Sequence, residues 1–266
     1  MLAALSGVPT AASAQVAVEA LEVHLNLAPG KATQTGLIPV RNELDRPQQV
    51  RVLINDWRRD SLGRNEFLDA GSLPSSCRER LQVFPMSFQV AANSVENVRV
   101  NYDAAADTTG CWSIVMFETV EPPKPKSAEN GSFLSFQVRT GVKIYVHAER
   151  PERAGEISFA DVAQGWRPVA VAPGTRPDST RAWQADLRFV NTGSAHLVIR
   201  SSVEIRDLDG LLLQKVAGEE GYLTPGAVRD MRIALPDLAP GTYLALVLVD
   251  YGGDEITAAQ VEFRIP

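Results

Sequence analysis

Three histidines, His24, His147 and His196, are the side chains best suited to move a proton near neutral pH, and they fall in separate segments. A catalytic base needs a nucleophile or acid beside it and a third group to orient it. No spacing in the chain supplies that set, and the sequence contains no HExxH, GxSxG, phosphate-loop or GxGxxG pattern. The adjacent carboxylates Glu219 and Glu220 sit in a loop-like stretch and read as solvated surface. "DYGGDE", residues 250–255, lacks the alternating acidic ligands of a calcium loop and reads as a hairpin turn. These residues therefore predict no enzyme, no cofactor and no metal.

The remaining reactive pair is Cys77 and Cys111. Two thiols with no histidine nearby make a weak metal site. In an oxidising compartment they would instead close a loop of about 35 residues, worth roughly 3–4 kcal/mol by chain entropy. Buried free thiols are the other reading. The compartment is suggested by "MLAALSGVPTAASAQ", which is small, apolar and uncharged, with "ASA" before Gln15 as a signal-peptidase site. Residues 1–14 are thus expected to be a signal-peptide remnant, a flexible Ala-rich terminus being the alternative. No other stretch approaches the ~18–20 apolar residues of a membrane span.

The elements around these residues are strands. The chain has 266 residues, 45% of them apolar, enough for two cores. Its net charge of −6 makes it a poor ligand for a phosphate backbone, so no nucleic-acid partner is expected. Period-2 alternation recurs in "VEALEVHLNL", "TGLIPVRNE", "QQVRVLINDW", "LQVFPMSFQV", "ENVRVNYD", "CWSIVMFETV" and "FLSFQVRTGVKIYV", separated by Gly, Pro, Asn and Asp turns. About seven such strands fit an immunoglobulin-like sandwich over residues 15–150. "EPPKPKSAENGS" reads as a mobile loop within it. "NDWRRDSLGRNEF", with Trp57, Arg58, Arg59 and Asp60, reads as a strand end entering a hairpin with a surface ion-pair patch. After the charged elbow "HAERPERAG" the pattern restarts, predicting a second sandwich within residues 151–266. There "AHLVIRSSVEIRDLDGLLLQ" reads as a hairpin, turned at "DLDG", with both arms partly buried.

One strand carries an unusual combination. In "FLSFQVRTGVKIYVHAERP" the apolar Leu134, Phe136 and Val138 share one parity, and Lys143 has the other. A regular strand would put the three apolar side chains on one face and the lysine on the opposite face. Packing into the protein's own core, with an ordinary edge lysine, is the plainer account of the same residues.

The stretches "LAPGKATQTGLIPVRNELDRPQQVRVLINDW", "LQVFPMSFQVAANSVENVRV" and "SFQVRTGVKIYV" resemble the N-terminal domain of periplasmic pilus-assembly chaperones of the chaperone–usher pathway. The resemblance covers roughly residues 20–150, and over 155–266 rests on position and β pattern. It implies two immunoglobulin-like domains in an L or boomerang arrangement. It also implies a function: donation of the G strand to a pilin-type subunit that lacks its own last strand, a form of β-augmentation. On this resemblance Leu134, Phe136 and Val138 fill the subunit's groove, and Lys143 anchors the subunit's C-terminal carboxylate. The family's first-strand arginine has no counterpart. His24 or Asn26 stands near its place, and Arg41 or Arg139 could contribute a cation from a neighbouring strand.

The expected function is a periplasmic chaperone for fimbrial or related β-rich subunits, delivering them to an outer-membrane usher. Free molecules could self-associate through the same strand. The alternative is a two-domain immunoglobulin-like surface adhesion or binding module, which would not depend on that strand.

Overall fold

The structure is a computed structural model and describes residues 16–105, 109–120, 138–169 and 178–266. Every regular element among these residues is a strand, and no helix there is long and apolar enough to cross a membrane. The candidate leader, the "EPPKPKSAENGS" loop, Leu134 and Phe136 lie outside the described residues.

The chain forms two compact units. The first comprises Met1–Asp56 and Leu68–Val146. One of its sheets has the order β1 (Ala17–Val18), β3 (Thr33–Arg41), β8 (Val95–Asp103), β6 (Leu81–Phe84). The other runs β2 (Glu22–Asn26), β10 (Arg139–His147), β9 (Cys111–Val120), β4 (Gln48–Arg59), β5 (Asn65–Asp69), with β7 (Ser87–Val90) also paired to β4. Alternation places Ile38 and Val40 of β3, Val98 and Val100 of β8, and Val142 and Ile144 of β10 in one core. Each such side chain contributes roughly 1.5–3 kcal/mol before ordering costs.

The first predicted strand, "VEALEVHLNL", is not continuous. It breaks between β1 and β2, which belong to different sheets. The reason is competition between two sheet edges. The Glu19 amide donates to Pro39 O on β3 at 3.1 Å, whereas Leu21 O accepts from the Lys143 amide on β10 at 2.9 Å.

Cys77 and Cys111 are joined by a disulfide, with Cα atoms 5.3 Å apart. The loop before Cys77 is built on the fully buried Asp56. Its carboxylate accepts from the Gly71 amide at 3.0 Å, the Leu73 amide at 2.9 Å and the Ser76 hydroxyl at 2.6 Å. A buried carboxylate needs such donors, and here they fold the loop around it.

The second unit comprises Trp57–Phe67 and His147–Pro266. Its sheets have the orders β11 (Gly155–Val169), β12 (Asp178–Asn191), β15 (Val228–Ala234) and β14 (Leu212–Leu223), β13 (Leu197–Arg206), β16 (Gly241–Asp250), β17 (Thr257–Ile265). Leu187, Phe189, Ile199, Val203, Ile205, Val247 and Val249 lie in its core. The predicted hairpin at residues 57–67 is present and its ion pairs form: Arg58–Glu66 at 2.6 Å and Arg64–Asp60 at 2.7 Å. Its tip needs glycine, because Gly63 has φ of 83° and a Cβ there would strike the Arg229 guanidinium.

Two expectations for this unit are corrected. In the β13–β14 hairpin β13 is buried in alternation, while Leu211, Leu212 and Leu213 are exposed and β14 becomes partly buried only from Val216 onward. β14 is an edge strand that meets β15 only further along, where a Cβ at Gly218 would touch Ile233. Glu219 and Glu220 lie within β14 rather than in a loop. Both are ion-paired, Glu220 to Arg200 at 3.2 Å and Glu219 to Arg229 at 3.9 Å.

Removing the disulfide with Cys77→Ala and Cys111→Ala together lowers the unfolding free energy by about 3–4 kcal/mol. Urea unfolding with and without reductant checks this. Native protein with reductant should match the double variant, which should itself be insensitive to reductant.

Candidate functional site

β10 pairs antiparallel with β9 along its length, from Arg139 opposite Glu118 to Val146 opposite Cys111. Its even residues Val142, Ile144 and Val146 enter the core, so its odd residues Arg139, Gly141, Lys143 and Tyr145 lie on the opposite face of the sheet, where Tyr145 is itself buried. Val138 shares the core parity but lies at the end of the strand. It is 49% exposed and borders a shallow recess with Val16, Val50, Phe117 and Thr140.

The second edge of β10 is covered by β2 over part of its length. Glu22 is beside Lys143, and His24 is stacked on Tyr145 with ring centroids 5.0 Å apart. The two strands advance together, so β2 runs parallel to β10. The five residues of β2 start at the level of Lys143. From the Lys143 amide, which donates to Leu21 O, alternation turns the peptide groups of Arg139 and Gly141 away from β9 as well. Among the described residues no strand is paired with that stretch of edge.

The outward face of β10 is anchored by Glu118, whose side chain is completely buried. The register puts Arg139 on one side of it and Arg51 of β4 on the other. Arg51 Nε and Nη2 donate to Oε2 at 3.1 and 2.5 Å, and Arg139 Nε and Nη2 donate to Oε1 at 3.2 Å each. The Arg51 hydrogen bonds, with a further contribution from Arg139, hold the Glu118 carboxyl below its ordinary range against the opposing effect of burial. This row ties the start of β10 across β9 to β4. Next to it, Gly141 leaves no room for a side chain, since a Cβ would sit 2.6 Å from Ile114 and 2.9 Å from Met116.

Lys143 follows on the same face. Its side chain is 14% exposed and its ammonium lies 3.9 Å from the Glu22 carboxylate. Of the two cations expected from a neighbouring strand, Arg139 lies on β10 itself, and both are engaged elsewhere. Arg41 is bound to Glu19 and Arg139 to Glu118. His24, expected near the place of the missing first-strand arginine, faces Tyr145 and has Nε2 3.5 Å from Glu22. The other two histidines, distant in sequence, meet in the second unit, where His147 and His196 pack edge to face at 5.2 Å.

By sequence the chain matches no family model and no curated protein. By structure it is similar to the class 5 fimbriae chaperone CfaA. The TM-score is 0.54 and the identity 12%, over 94% of this chain and 99% of that one. It is also similar to a chain from the chaperone–tip adhesin complex of CFA/I fimbriae biogenesis. There the TM-score is 0.53 and the identity 12%, over 95% of this chain and 100% of that one. The chain has the fold of a fimbrial chaperone.

Within this chaperone fold, Glu118, Arg51 and Glu22 are the residues that sequence reasoning missed. Glu118 had a visible signal, because a carboxylate inside the apolar run "IVMFETV" needs a cationic partner once the strand is central. Glu22 had none, since its nearness to Lys143 follows from where β2 begins.

Glu118→Gln should cost on the order of 1–2 kcal/mol at pH 7 by weakening its charged hydrogen bonds. A carboxylate whose pKa is depressed on folding stabilises above its unfolded pKa and loses that contribution as pH falls through the folded value. The difference in melting temperature between native and variant should therefore be widest at neutral pH. It should close as pH drops below the ordinary 4.5 of a glutamate. A gap independent of pH between 3 and 7, roughly the range over which such a carboxylate titrates, would refute the role given to its charge.

Proposed function

We propose that this protein is a periplasmic chaperone that captures fimbrial or related β-rich subunits by strand donation. The observation that carries the reading is the stretch of β10 edge from Arg139 to Val142 that β2 leaves uncovered. An incomplete sandwich lacks a strand, and an open strand edge can pair with its exposed backbone. Leu134, Phe136 and Val138 are the groove-filling side chains in this proposal. The half-exposed Val138 supports it, and Leu134 and Phe136, which lie outside the described residues, are carried over from the resemblance.

Orientation adds support. A subunit strand laid parallel to β10 along its open edge comes into line with β2. Its carboxyl end then arrives at Lys143, which we assign to hold that end. A cation that is largely buried suits a carboxylate leaving water. Strand pairing and apolar burial supply the binding free energy, so no cofactor or nucleotide is required. Transfer of the subunit to an outer-membrane usher completes the proposed role.

The test uses a pilin-type subunit lacking its last strand, refolded with the full chain. Native protein should give a soluble one-to-one complex by size-exclusion chromatography with light scattering. Val138→Asp and Phe136→Glu should each lower recovery of that complex by about tenfold or more, from the lost burial of one apolar side chain. Their melting temperatures should match native. Undiminished capture by both variants would exclude strand donation.

A further inference from the structure

The cation on the donor edge already has an anion beside it. Glu22 Oε1 lies 3.9 Å from the Lys143 ammonium, and Glu22 Oε2 lies 3.5 Å from His24 Nε2. The Glu22 side chain is 45% exposed, while that of Lys143 is 14% exposed. The pair is long for a charge-assisted hydrogen bond, which closes to about 2.7–2.9 Å. A loose pair with one solvated partner contributes little and is readily exchanged. Glu22 also stands at the first residue of β2, where the open edge ends.

We infer that Glu22 is a specificity-determining residue: it is an internal counter-ion that an incoming carboxylate must displace from Lys143. This rests on the chaperone reading of the same edge and adds a selection step to it. In the unoccupied protein Glu22 offsets the cost of a largely desolvated ammonium. A free small anion has only its charge with which to displace Glu22. A carboxylate at the end of a strand paired along β10 is held at high local concentration and prevails. The repulsive element thus discriminates against anions that do not bring a strand.

Acylation of Lys143 by an amine-reactive reagent, quantified by peptide mass spectrometry on the full chain, tests this. Loss of a nearby anion disfavours the protonated amine, so Glu22→Gln should label about threefold faster than native. An alternating apolar–polar peptide with a free terminal carboxylate should slow labelling of both proteins. Half-protection should come at a severalfold lower concentration for Glu22→Gln. The C-terminally amidated twin should protect neither, and acetate should protect Glu22→Gln in preference to native. Equal labelling rates, equal half-protection, or no protection by the free-acid peptide overturns the inference. Undiminished subunit capture by Val138→Asp and Phe136→Glu would instead remove strand donation while leaving the labelling comparison standing.

Discussion

Each strand of a sheet presents peptide groups along two edges, and those of β10 have unequal partners. One edge is fully paired to β9. The other is shared between β2 and nothing further among the described residues, because the chain before β2 is pulled across to β3. The division of the first strand into β1 and β2 therefore creates the open edge. Unpaired backbone groups bordered by apolar side chains drive both recognition and aggregation. Here the ladder to β9 holds β10 in place, and β2 leaves part of its second edge uncovered. The Arg139–Glu118–Arg51 row adds a lateral tie at the point where the strand enters the sheet.

Much of the fold was legible because alternation is a local property. The strands "TGLIPVRNE" and "ENVRVNYD" show their inward residues by parity, the near-continuous apolar run of "CWSIVMFETV" belongs to a strand buried on both faces, and the turns between them show Gly, Pro, Asn and Asp. What was not legible depended on distant partners. "VEALEVHLNL" alternates without interruption, yet two sheets divide it. "DLDGLLLQ" contains three leucines that burial rules would place inside, but its strand lies at a sheet edge and leaves them exposed.

The candidate site divides in the same way. The parity of Lys143 against Val138 and Val142 could be read directly, and the structure places Lys143 on the outward face. Of the two readings left for Cys77 and Cys111, a disulfide or buried free thiols, the structure has the disulfide. The anions were hidden. Glu118 and Glu22 reach their cations across strands separated by long stretches of sequence, and only the register brings them together. The face therefore holds two kinds of ion pair. In one a buried carboxylate is held by two half-exposed arginines, and in the other a largely buried lysine stands beside a half-exposed carboxylate.

The parallel start of β2 at Lys143 has a geometric consequence. A chain laid parallel to β10 along the stretch that β2 leaves uncovered would travel toward the first residue of β2 and meet it end-on. It can advance no further without pushing β2 off β10. For such a chain the edge would be a slot with a closed end. A guest seated against that end is indexed from its own tail, and residues counted back from the tail fall at fixed positions along the slot. Alignment set in this way needs no particular side-chain code, so one slot could accept guests of different sequence whose final strands share a length and an alternation.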